Sequence, residues 1–142
     1  MKKCKHFKIY ELVSKQVYEK YGETSWQFFD PRLLMTIDWI RERLNKSITI
    51  NNWEWGGGFS QRGLRENTSE IVRDKTNRDL IYLSGHVLGM AVDFDVEGMT
   101  AQEVRDWLEE NKDELPYAIR LEKDVIWVHL DVRDTGVKIY KF

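Results

Sequence analysis

Val125-Ile126-Trp127-Val128-His129-Leu130-Asp131-Val132 is the stretch on which the fold turns. Side chains alternate along a β-strand, so Trp127, His129 and Asp131 share one face and Ile126, Val128 and Leu130 share the other. The second face is wholly apolar and must meet a core. His129 and Asp131 therefore point to the opposite, polar side, and a sheet with one buried and one working face is implied.

Working backwards, Met90-Ala91-Val92-Asp93-Phe94-Asp95-Val96 reads as another strand with alternating faces. Thr100 and Glu103 form a capping box that opens a helix through Val104, Trp107 and Leu108 and ends before Pro116. Two or three closing strands are expected over Tyr117 to Leu121, Val125 to Val132 and Val137 to Tyr140, with a turn at Asp134-Thr135-Gly136. Leu80-Ile81-Tyr82-Leu83 marks the return of order after a long irregular stretch, Asn52 to Asp79, which holds the glycine-rich Trp53-Glu54-Trp55-Gly56-Gly57-Gly58-Phe59. A loop of that length inside a small domain is usually functional or disordered.

Nearer the start, Ile9, Val13, Val17 and Tyr21 recur every four residues and Gly22 follows, which predicts an amphipathic helix and its stop. Asp30 and Pro31 cap a second helix, about Pro31 to Asn45, and Ser47 to Asn51 reads as a short strand. Helices come first and strands with short turns follow. The expected architecture is α+β, with a small, mostly antiparallel sheet and helices packed on one face, in one domain spanning residues 1–142.

Composition narrows the chemistry. Lys and Arg total 22 against 24 for Asp and Glu, so no charge footprint for nucleic acid or an anionic membrane surface is present. The single cysteine, Cys4, excludes an internal disulfide and a thiolate cluster. A bound metal must rely on histidine and carboxylate. The start, MKKCKHFKIYELV, has positive charge but no apolar run behind it, so no secretory signal is expected. No stretch approaches the roughly 20 apolar residues of a spanning helix, and no membrane insertion is expected.

Of three histidines, His6 lies in the N-terminal tail, which leaves His86 and His129 for ligation or proton transfer. His86 and Asp93 flank a turn containing Gly89, which can return both side chains to one point. Zinc needs such convergence, taking imidazole nitrogen and carboxylate oxygen at about 2 Å.

Ser84-x-His86-x-x-Gly89-x-Ala91-x-Asp93 and Trp127-Val128-His129-Leu130-Asp131 resemble the two metal motifs of the zinc D-Ala-D-Ala carboxypeptidases and related peptidoglycan endopeptidases of the Hedgehog/DD-peptidase fold. Phe7-Lys8-x-x-Glu11-Leu12 is similar to the start of many such domains, especially those of phages and prophages. The resemblance covers nearly the whole chain. It implies zinc on His86, Asp93 and His129 with a fourth position left for water, and hydrolysis of a peptidoglycan stem peptide.

One departure bears on catalysis. Many members carry a glutamate three residues before the last histidine ligand, where this chain has Ile126. Asp131 is the first substitute as general base, with Asp124 and Glu122 at the strand entrance next. Asp131 can equally orient His129 as its hydrogen-bond partner. The family's substrate-holding arginine falls in Ser60-Gln61-Arg62-Gly63-Leu64-Arg65, so Arg62 or Arg65 is expected to hold a substrate carboxylate or carbonyl. Trp127, with Trp53 and Trp55, is expected to wall a groove, and Ser84 to cap the turn or support the site.

The resemblance thus implies a zinc metallopeptidase of the bacterial cell wall, of the kind used as a phage endolysin. The alternative from another class is an inactive zinc-binding module of the same fold that binds peptide or protein, favoured by Ile126. A third possibility is a metal-free virion or assembly protein. Without an export signal, the chain is expected in the cytoplasm as synthesised, reaching its substrate by phage lysis or on a virion.

Overall fold

The computed structural model describes residues 1–142 and gives an α+β fold with a five-stranded mixed sheet. In chain order the regular elements are α1 (Lys15–Tyr21), α2 (Pro31–Leu44), β1 (Ile48–Thr49), α3 (Glu70–Asn77), β2 (Ala91–Val96), α4 (Ala101–Glu110), β3 (Ile119–Leu121), β4 (Val128–Asp131) and β5 (Ile139–Lys141). The strands lie in the order β1-β2-β4-β3-β5. All pairs are antiparallel except β3 with β5.

The register explains the two faces. Val92 lies opposite Leu130, and Leu130 opposite Leu121; Phe94 lies opposite Val128. These apolar side chains are buried in one cluster with Leu33, Ile37 and Ile40 of α2 and Val104 and Leu108 of α4. Each fully buried side chain of this kind contributes roughly 1.5–3 kcal/mol relative to exposure. On the other face, Asp93 lies opposite His129, and Ala91 opposite Asp131, which in turn opposes Arg120.

Helix ends follow their caps. Asp30 accepts from the Arg32 amide ahead of Pro31, and Asn45 closes α2 in the left-handed conformation at φ 50°. Thr100 accepts from the Glu103 amide at 3.1 Å, as the capping box predicts. The expected helix from Ile9 to Tyr21 is divided: a single 3-10 turn, Ile9–Glu11, precedes α1, whose N-cap is Ser14. Its fourfold apolar spacing nevertheless buries Ile9, Val13 and Val17.

Three other expectations are revised. The irregular stretch contains α3, capped by Ser69. Leu80 to Leu83, where order is expected to return, forms no regular element, and Ile81 is 91% exposed. The strand expected from Val125 begins only at Val128, so Ile126 leaves the apolar face and stands 90% exposed in the β3–β4 connection. No ladder partner reaches it there, and alternation loses its meaning outside the paired residues. No helix is long and apolar enough to cross a membrane.

Candidate metal centre

Asp93 and His129 face each other across β2 and β4, so the sheet itself brings two of the three expected ligands together. His86 arrives from the preceding loop. Its turn is possible because Gly89 adopts φ +67°, where a β-carbon would fall 1.9 Å from the Phe28 carbonyl oxygen. The Gly89 carbonyl accepts from the Asp30 amide at 2.9 Å, tying the turn to the start of α2. Ser84 supports it as expected, its hydroxyl accepting from the His86 amide at 3.1 Å.

The three donor atoms lie within 4.8 Å of one another. His86 Nε2 is 3.2 Å from Asp93 Oδ2, and His129 Nδ1 is 2.9 Å from Asp93 Oδ1. Bonds of about 2 Å at tetrahedral angles separate donors by roughly 3.3 Å, the scale of these two histidine–aspartate separations. His86 and Asp93 are buried and His129 nearly so. This His-Asp-His group could hold a metal ion.

The rings are held by their far nitrogens. His86 Nδ1–H donates to the Gly63 carbonyl at 2.8 Å, leaving Nε2 to face Asp93. Gly63 lets its loop lie directly against Leu12, since a β-carbon there would sit 2.1 Å from the Leu12 carbonyl oxygen. His129 Nε2 donates to Asp131 Oδ2 at 3.0 Å and presents Nδ1 inward. Such outer partners set which nitrogen is free for a metal.

Burial disfavours a charge on His129, but hydrogen bonds to Asp131 and Asp93 outweigh it and push its pKa up to about 9. Burial also opposes ionisation of Asp93, yet the two histidines hold it well below the usual carboxylate range. Asp131 is buried as well, and bonds from His129, Arg120 and the Arg133 amide bring it down to about 2. Without metal, an imidazolium at His129 bridges two carboxylates.

A cleft of about 260 Å³ opens over this group. Arg65, Tyr82, Arg120 and Arg133 line it with Glu122, Trp127 and Phe142. Arg65 donates to the Tyr82 hydroxyl at 2.7 Å and stands 3.6 Å from Asp93 Oδ2. Arg120 spans both oxygens of Asp131 at 2.8 Å and stacks on Phe142, while Arg133 reaches the Leu83 carbonyl.

Several expected roles change. Asp131 is fully buried, and its oxygens are taken by Arg120, His129 and the Arg133 amide. It meets His129 at Nε2, away from Nδ1, and with both oxygens doubly occupied it keeps no free lone pair for the proton transfer a base requires. Asp124 occupies an exposed turn at φ 62° and does not line the cleft. Arg62 also lies outside it: its guanidinium pairs with Asp95 at 2.8 Å and covers the Phe59 ring. Arg65 is the arginine of that loop which reaches the site. Trp127 lines the cleft, whereas Trp53 donates to the Val13 carbonyl and exposed Trp55 packs on Tyr10.

Nothing in the sequence pattern singles out Arg120, Tyr82 or Arg133 as neighbours of the site. Alternation along Ile119-Arg120-Leu121 does place Arg120 on the polar face, but its pairing with Asp131 depends on register, which alternation leaves open. Tyr82 lies on an unpaired segment with no periodic signal. No family model, curated protein or solved structure matches the chain.

Proposed function

We propose that the protein is a zinc-dependent peptidase that hydrolyses peptide bonds of peptidoglycan stem peptides. The observation that carries this reading is the His86, Asp93 and His129 group at the base of an open cleft, each ring fixed from behind. A closed structural site would have a fourth protein ligand; here the fourth direction faces the cleft.

His86 Nε2, an Asp93 oxygen and His129 Nδ1 would hold the ion, which when bound supplies a Lewis acid and lowers the pKa of water toward 7. Asp131 holds the His129 ring, and Arg120 holds Asp131 in its ionised form. Arg65 and Arg133 give the cleft cationic walls suited to the carboxylates of a stem peptide. Trp127 offers an apolar surface for a peptide backbone or methyl group.

The resemblance of the two metal motifs to cell-wall peptidases supplies the substrate class. Release by phage lysis, or carriage on a virion, would bring the chain to that substrate. The test is release of new amino or carboxyl termini from purified peptidoglycan by zinc-loaded protein. Activity abolished by a chelator and restored by zinc is expected; zinc-loaded protein that releases nothing from intact wall or stem pentapeptide refutes the proposal.

A further inference from the structure

The ladder between β3 and β4 extends one residue beyond its paired strands, because the Glu122 amide donates to the His129 carbonyl at 3.4 Å. Glu122 is thereby opposite His129, just as Asp93 is opposite His129 on the other side. Directly opposed residues project to the same face with β-carbons roughly 4.5–5.5 Å apart. Asp93, His129 and Glu122 form one row across the working face.

Three carboxylates line the cleft. Asp93 faces both histidines, and Asp131 is tied to Arg120. Glu122 is half-buried, and its carboxylate makes no hydrogen bond or ion pair with another side chain. Its backbone is nonetheless fixed. Buried Arg105 has no carboxylate partner and spends its guanidinium on the carbonyls of Glu122, Val125 and Trp127 at 3.5, 3.1 and 3.2 Å. That clamp holds the β3–β4 connection against α4 and keeps Glu122 at the cleft while Ile126 points to solvent.

Resting on the peptidase reading above, we infer that Glu122 is the general base, facing the open metal position from the strand beside His129. As the water oxygen forms its bond to the scissile carbonyl carbon, its O–H bond breaks and the proton passes to the Glu122 carboxylate. The carbon–nitrogen bond then breaks as Glu122 returns that proton to the leaving nitrogen. Water and amide are converted to acid and amine with no other reactant. The base thus comes from the neighbouring strand rather than from the residue at position 126.

Glu122→Gln preserves shape and removes only the charge, and no side-chain contact is lost. Two measurements test the inference. In cobalt-loaded protein, azide read by its visible absorption should bind about tenfold more tightly to Glu122→Gln than to the wild type, because a repelling charge near the open position is gone. With zinc, Glu122→Gln should bind the stem pentapeptide as the wild type does but turn it over at least about 100-fold more slowly. Unchanged azide affinity overturns the placement of Glu122, whatever the wild type cleaves. Undiminished turnover in Glu122→Gln overturns its role as base. A wild type that cleaves nothing, combined with tighter azide binding by the variant, refutes the peptidase reading and the base role but leaves the carboxylate where it is placed.

Discussion

Raising the pH should strengthen metal binding and weaken the metal-free fold, because one proton on His129 serves both. Burial opposes charging this ring, but the hydrogen bonds to Asp131 and Asp93 prevail and its pKa stands at about 9. A metal ligand must be unprotonated, so zinc has to displace that proton. At pH 7, two units below 9, displacement costs about 2.7 kcal/mol, at about 1.36 kcal/mol per unit. Apparent zinc affinity should therefore rise about tenfold per pH unit between pH 7 and 8.5, followed by competition with a chelator of known affinity. The metal-free protein should move the other way. The folded-state pKa lies above the ordinary value of 6.5, so this contribution to stability is complete below pH 6.5 and is lost as pH rises through 9. Imidazole resonances of metal-free protein provide the direct check. A His129 titration midpoint at or below 7 would refute the electrostatic account of the site.

Asp131→Ala should cost about 3–5 kcal/mol in denaturant unfolding, since it strands the Arg120 cation against a buried row; zinc affinity should fall about 10- to 100-fold as His129 loses its orienting partner. Gly89→Ala should destabilise the fold by about 2 kcal/mol or more, because its φ of +67° and the Phe28 carbonyl leave no room for a methyl group; a wild-type melting temperature would contradict this. Arg65→Ala should raise KM for an anionic stem peptide about tenfold or more, whereas Arg62→Ala, outside the cleft and paired with Asp95, should leave KM unchanged. Zinc at about 1,000 times its Kd should add about 4 kcal/mol to wild-type stability, and His86→Ala should abolish the gain in thermal scans with and without chelator.

Much of the site is legible in the sequence alone. The alternation in Val128-His129-Leu130-Asp131 assigns the histidine and aspartate to one face, and the ladder keeps them there. Gly89 between His86 and Asp93 signals the turn that its positive φ carries out. The capping residues Asp30 and Thr100 mark helix starts because a short polar side chain can satisfy only the first free amides of a helix, whereas the Ser14 cap that divides the first helix is seen only in the structure. These are local facts, and local chemistry suffices for them.

Roles that depend on which strands are neighbours were decided only by tertiary structure. Asp131 looks like a free acid along β4, yet Arg120 from β3 closes over it and converts it to a support for His129. Arg62 and Arg65 are equivalent in sequence, but one turns to Asp95 and the other to the cleft. Glu122 belongs to the working row through a register that its own strand cannot specify. The candidate metal-ligand set is thus written in two short motifs, because side-chain direction is a property of each strand. The partners of those ligands are a property of pairing, which sums the burial of the whole core and is read from no single segment.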